Sequence, residues 1–172
     1  MQLKPDAVSF RCDFCHNVCL PEKGDDGVRV LGEPSTDMCP HCNVALVHAT
    51  IADVRMLYCT QCHGTLIPME VFPSLIEELR SVGSGSTVQP GGDSSDLRRK
   101  ITCPHCRKIM DAHFYAGPGN VVIDSCEDCS LNWLDPGELM HIVQAPDGAG
   151  QAAQFESSAP ADDEPAEYSR WL

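Results

Sequence analysis

Ten of the chain's eleven cysteines fall into five C-x-x-C pairs, Cys12/Cys15, Cys39/Cys42, Cys59/Cys62, Cys103/Cys106 and Cys126/Cys129, and Cys19 stands alone. Two residues between thiols let a tight turn, a knuckle, aim both sulfurs at one ion while its backbone N–H groups point at those sulfurs. Two knuckles make a tetrahedral zinc site with four thiolate ligands. An odd number of cysteines leaves one over in any all-disulfide scheme. The opening MQLKPDAVSF lacks the basic end and apolar run of a secretory signal, and no stretch approaches the roughly 20 apolar residues that span a bilayer. The expectation is a soluble, cytoplasmic chain with reduced thiols that bind metal.

An internal repeat proposes how the pairs combine. Cys-Pro-His-Cys occurs at 39–42 and again at 103–106, followed by 16 or 19 residues, a second C-x-x-C, and an apolar, helix-like stretch. In the second copy those residues read as a hairpin: RKIMDAHFYA, a GPGN turn, then VVIDS leading to Cys126. In the first copy VALVHAT and VRMLY flank Ile51-Ala52-Asp53. Each unit is then knuckle, hairpin, knuckle, clamped by one ion through Cys39, Cys42, Cys59 and Cys62, or through Cys103, Cys106, Cys126 and Cys129. The opposite arrangement joins Cys12/Cys15 to Cys39/Cys42 around VRVL, a plausible strand. It then sends Cys59/Cys62 to Cys103/Cys106 and leaves Cys126/Cys129 unmatched.

After Cys129 the chain reads Ser-Leu-Asn-Trp133-Leu134-Asp135-Pro136-Gly137-Glu138-Leu139. Asp135 is placed as an N-cap, Pro136 suits the first helical position, and Glu138 completes a capping box, so a short helix is expected with Trp133 and Leu134 just before it. The series Cys-Pro-x-Cys, Ile-Asp-x-Cys-x-x-Cys, Trp-Leu-Asp-x-Gly-Glu-Leu closely resembles the transcription factor zinc-finger family, the TFIIB-type zinc ribbon. The resemblance covers 103–143 strongly and 39–80 weakly, where Leu66-Ile67-Pro68 replaces Trp-Leu-Asp. It implies a nucleic-acid- or transcription-associated role. The family pattern places Gly-Gly after the last cysteine, where this chain has Ser130-Leu131 and His63-Gly64.

The fold class expected is a small zinc-stabilised α+β protein of two tandem zinc ribbons, each a β-hairpin plus a short C-terminal helix, with a disordered acidic tail. Its divisions are a Cys-rich knuckle and strand (1–38), ribbon 1 (39–80), a flexible linker (81–100), ribbon 2 (101–144) and the tail (145–172). VFPSLIEELR at 71–80 closes the first ribbon as an amphipathic helix with Ser74 as candidate N-cap. The stretch SVGSGSTVQPGGDSSD is rich in Gly, Ser and Pro and reads as a linker that keeps the ribbons from packing rigidly. Units of about 40 residues bury too little apolar surface to fold unaided, whereas a structural zinc supplies on the order of 10–16 kcal/mol in finger-sized peptides.

Two zinc sites are expected, and a third at Cys12, Cys15 and Cys19, with His16, His48, His63 or water as fourth donor. Four-cysteine sites are closed, so the chain is read as a non-enzymatic interaction module; the three-cysteine group alone offers an open position for redox or hydrolytic chemistry. Cys12-Asp-Phe-Cys15-His16 and Cys59-Thr-Gln-Cys62-His63 match the haem-attachment pattern, but the second lies inside the repeat and no export signal is visible. His41, His105, His113 and His141 are read as turn or packing residues. The net charge is −13, with six acids and one base in 145–172. Arg98, Arg99, Lys100, Arg107 and Lys108, clustered within eleven residues of a nearly neutral segment, are the candidate nucleic-acid contacts. The partner is therefore nucleic acid or, for an adaptor, a protein; no small-molecule substrate and no membrane are expected. Tyr168-Ser-Arg-Trp171-Leu172 restores aromatic character after the polar tail and is a candidate docking motif.

Overall fold

The computed structural model describes residues 22–24, 26–82, 97–115 and 121–145, and the backbone alone of 2–3, 10–11, 18–19 and 96. Cys12, Cys15 and His16 lie outside the described residues, as do 83–95 of the expected linker and 146–172 of the expected tail. Three two-residue strands, β1 (Gln2–Leu3), β2 (Phe10–Arg11) and β3 (Val18–Cys19), form a small antiparallel sheet in which Phe10 pairs with Cys19.

Among the described residues the main body is one antiparallel sheet of seven strands with two helices. Its strands are β4 (Arg29–Met38), β5 (Ala45–Ile51), β6 (Val54–Tyr58), β7 (Thr65–Pro68), β8 (Asp111–Phe114), β9 (Val122–Cys126) and β10 (Leu131–Leu134), in the spatial order β4-β5-β6-β7-β10-β9-β8. Strand β4 takes in Arg29, Val30 and Leu31 of the expected VRVL strand and continues past them along an edge of the sheet, with Pro34 paired to Val47 and irregular register to either side of it. The β5–β6 hairpin turns on two residues, Ala52 and Asp53, both with positive φ (44° and 61°), which is the twist that suits a tight antiparallel hairpin.

The strand after each second knuckle was not anticipated. Trp133 and Leu134, expected as a lead-in to a helix, lie on β10, paired with β9, and Leu66 and Ile67 lie on β7, paired with β6. The second knuckle of each unit is itself a hairpin turn. The residue after its last cysteine, His63 (φ 66°) or Ser130 (φ 53°), takes the left-handed conformation that sends the chain back along the hairpin. The departure from Gly-Gly at these places thus leaves the turn intact, with non-glycine residues carrying the left-handed backbone.

Strands β7 and β10 then pair with each other, Leu131 with Pro68, Asn132 with Ile67, Trp133 with Leu66 and Leu134 with Thr65. Cys59 and Cys126, Cys62 and Cys129, and Leu66 and Trp133 are each 67 residues apart in the chain. Leu66 therefore pairs with its own repeat equivalent, which places a local two-fold axis between Leu66 and Trp133. The two units do not pack as independent bodies on a flexible tether. Of the expected linker, Ser81 and Val82 finish the first helix, 96–98 form a single 3-10 turn, and Arg99 is anchored in the second unit.

Alternation along β7 and β10 separates two cores. Ile67 and Leu134 face the helices α1 (Phe72–Val82) and α2 (Glu138–Gln144), packing with Phe72, Leu75, Ile76, Leu139 and Ile142. Leu66 and Trp133 belong to the other core, with Leu46, Ile101, Met110 and the buried cysteines Cys39, Cys59, Cys103 and Cys126. Trp133 is fully buried. Arg80 of α1 donates to the carbonyls of Ile142 (3.4 Å) and Ala145, covering the open C-terminal end of α2.

Both helix starts differ from expectation. Ser74 lies inside α1, its hydroxyl donating to the Val71 carbonyl at 3.0 Å. Helix α2 begins at Glu138 with Gly137 (φ 86°) as N-cap and no side-chain cap. Only half of the capping box forms, the Asp135 N–H donating to Glu138 Oε2 at 2.7 Å. The Asp135 carboxylate is drawn away, accepting from Trp133 Nε1 at 2.9 Å and pairing with His41 and Arg99.

Gly64 is the counterpart demand of that tryptophan. A Cβ at position 64 would lie 2.4 Å from Cζ2 and 2.9 Å from Cη2 of Trp133. Gly64→Ala is expected to lower stability by about 1–3 kcal/mol through overpacking, read as a shifted denaturant midpoint, and Gly64→Ala/Trp133→Leu is expected to recover part of that loss.

Candidate metal centres

Two groups of four cysteines converge, Cys39/Cys42/Cys59/Cys62 and Cys103/Cys106/Cys126/Cys129, with all four sulfurs of each within 4.8 Å of one another. This is the grouping proposed by the repeat, and it excludes the opposite arrangement. Cys39 Sγ lies 3.7 Å from Cys62 Sγ, and Cys106 Sγ lies 3.6 Å from Cys126 Sγ. Zinc–sulfur bonds of about 2.3 Å at tetrahedral angles require sulfur–sulfur edges of about 3.8 Å. A disulfide would hold the sulfurs at about 2.05 Å. The clusters therefore have the dimensions of a four-thiolate ion site, and each can hold a zinc ion.

The knuckle backbone explains why. Cys39 N–H donates to Val44 O (2.8 Å) and Asn43 N–H to Cys39 O (3.0 Å); the same two bonds recur at Cys59, with Gly64 and His63, and at Cys103, with Lys108 and Arg107. Asn43 (φ 56°) and Arg107 (φ 65°) share the left-handed geometry of His63 and Ser130. Inside the turns the N–H groups of Cys42 and Cys62 point at Cys39 Sγ (3.3 Å) and Cys59 Sγ (3.5 Å). In each pair the first cysteine is buried and the second half-buried.

The electrostatics ask for a cation. Burial pushes the Cys39 and Cys103 thiols up, and desolvation together with neighbouring thiols holds Cys129 up at about 12. The backbone N–H of Lys108 leads the opposite effect at Cys106, which falls to about 7. One thiolate forms readily in such a cluster and further ones repel it, a cost that a bound divalent ion offsets as it displaces the protons.

The third expected centre cannot be assembled from described side chains: Cys12 and Cys15 lie outside them and only the backbone of Cys19 is described. Of its candidate donors, His63 Nδ1 is 2.5 Å from the Tyr58 hydroxyl, which also donates to Asp26 at 2.8 Å. The knuckle histidines make cross-unit contacts. His41 Nε2 lies 3.0 Å from Asp135 Oδ1 with its ring 5.9 Å from that of Trp133, and His105 Nδ1 lies 3.2 Å from Asp37 Oδ1.

The basic run is split. Arg99 turns inward, its guanidinium on Asp124 Oδ2 at 2.6 Å and on Asp135, with Glu138 Oε1 at 3.9 Å. Asp124 is fully buried. Arg99 is thereby removed from the nucleic-acid candidates, because a buried carboxylate needs a partner more than a surface needs one more cation. Lys108 pairs with Asp128 at 2.6 Å, and Arg98, Lys100 and Arg107 remain exposed. This inward cluster was missed in the sequence, although Asp124 and Asp135 stood in the quoted Ile-Asp and Trp-Leu-Asp motifs.

Glu138 titrates unusually. Burial pushes its carboxyl up to about 7, with Asp135 and Asp124 adding to the rise against the Asp135 N–H and Arg99. A raised acid stabilises the fold in its protonated form, so this contribution is present below about pH 4.5 and is lost as pH climbs through about 7. Glu138→Gln keeps the acceptor for the Asp135 N–H and removes the titration. It is expected to raise stability at pH 8 by roughly 2–3 kcal/mol and to change it little at pH 5, read from denaturant midpoints at the two pH values.

No helix among the described residues is long and apolar enough to cross a membrane. Comparison with protein-family models, with curated proteins and with solved structures finds no match for this chain.

Proposed function

We propose that the protein is a zinc-binding, non-enzymatic interaction module of two TFIIB-type zinc ribbons joined edge to edge. The observation that carries this reading is the pair of four-cysteine clusters at ion-site dimensions. Four thiolates fill a tetrahedral ion's coordination, so zinc held there supplies folding energy and leaves no open position for substrate. The resemblance of 103–143 to transcription factor zinc fingers supports a nucleic-acid- or transcription-associated role. Between the two partner classes, the inward ion pairs of Arg99 and the pairing of Lys108 with Asp128 favour a protein partner over nucleic acid, as does a net charge of −13.

The test is metal analysis followed by binding across a salt series. Two or more zinc ions per chain, with no chromophore, support the module. Less than one ion per chain overturns it. Absence of DNA and RNA binding at low salt supports the protein-partner reading, whereas micromolar binding lost in Arg98→Ala/Lys100→Ala/Arg107→Ala overturns it.

A further inference from the structure

The local two-fold relates two places on the cysteine-bearing face that differ in content. At one, the Trp133 ring fills the space over Gly64 and beside His41, closed by Asp135 and Arg99. At the other lies a groove of about 970 Å³ whose walls include Leu57, Leu66, Pro68, His105, Asp128 and Leu131. By repeat position Leu66 stands for Trp133, Pro68 for Asp135 and His105 for His41. The fold therefore builds the same place twice and fills it with an indole once.

We propose that this groove receives the indole of Trp171 from the chain's own 168–172 segment. The chain has two tryptophans, and both are followed by leucine, Trp133-Leu134 and Trp171-Leu172. The 25 residues between Ala145 and Trp171 span about 80 Å when extended, several times the radius of a body this size, so reach does not limit docking. Arg170, the one base in 145–172, is adjacent to Trp171. At the groove, Asp128 keeps a side chain 59% exposed beside Lys108, open to a second cation. The apolar part of the wall, Leu57, Leu66, Pro68 and Leu131, takes the ring and the Asp128 carboxylate takes the guanidinium, while Ser35, Thr36, Asp37, His48 and Arg55 make the rest of the lining polar. The docked segment masks the groove against other aromatic ligands.

Hydrogen exchange and fluorescence quenching on the full zinc-loaded chain test this. Relative to wild type, Trp171→Ala is expected to speed exchange at least tenfold at backbone amides of 35–37, 55–58 and 65–67 while leaving α1 and α2 unchanged. Asp128→Lys, on the surface, is expected to give a smaller increase at the same amides. Acrylamide quenching of Trp171, obtained by difference from Trp171→Phe, is expected to be several-fold weaker than in the free peptide 160–172. Equal exchange in wild type and Trp171→Ala, or peptide-like quenching, overturns the proposal. Protection that rises with protein concentration alongside a dimer in sedimentation also overturns it, in favour of exchange of the segment between copies.

Discussion

Removing zinc with a strong chelator at neutral pH is expected to unfold both cysteine units together, in one transition that takes most of the sheet's circular dichroism with it. The inner thiols Cys39, Cys59, Cys103 and Cys126 are part of the core around Leu66 and Trp133, so the packing there depends on their being drawn together. Structural zinc contributes on the order of 10–16 kcal/mol in finger-sized peptides, as much as the whole stability of an ordinary domain. Because β7 and β10 share a ladder, loss of one site exposes the edge and the core of the other. Cys103→Ser is therefore expected to lose one ion and also to lower the chelator concentration at which the first site empties. Metal release followed beside near-ultraviolet dichroism checks both statements. A metal-free chain that keeps its near-ultraviolet signal, or a Cys103→Ser chain whose first site is untouched, contradicts them.

Arg99→Ala is expected to cost about 3–5 kcal/mol, although the residue lies outside both cysteine clusters. It leaves Asp124, which is fully buried, without its cation and beside Asp135 and Glu138. Burial already pushes the Asp124 carboxyl up against the pull of Arg99, so its remaining charge depends on that guanidinium. The pair is also imperfectly satisfied, since Asp124 Oδ1 and Arg99 Nε are buried without a hydrogen-bond partner. Arg99→Met with Asp124→Leu is consequently expected to cost much less than Arg99→Ala alone, because no unpaired charge remains. Denaturant midpoints at saturating zinc measure both variants. A single variant within about 0.5 kcal/mol of wild type would show the cluster to be solvated, against this account.

Much of the site was legible because its information is local. The two-residue spacing within each C-x-x-C, the Cys-Pro-His-Cys repeat and the hairpin patterns on either side named all eight clustered cysteines and their grouping. The helix at 71–80 was read within two residues of α1. Where local rules competed with distant partners they failed. Asp135 has the right offset for an N-cap, yet its carboxylate goes to Trp133, His41 and Arg99. Arg99 reads as one of five surface cations until Asp124 is placed beneath it.

By itself, then, the sequence determined the eight ligands of the two cysteine clusters, the two hairpins that present them and the existence of two related units. Thiol spacing, alternation and turn residues act within a few positions, so they are visible along the chain. Tertiary structure alone decided that the units share one sheet, that Leu66 faces Trp133 across a local two-fold, and that one of the two equivalent places is filled while the other is a groove. Those choices rest on backbone ladder bonds between β7 and β10, which any residues can make, and on the burial of charges brought together from 25 or more positions apart.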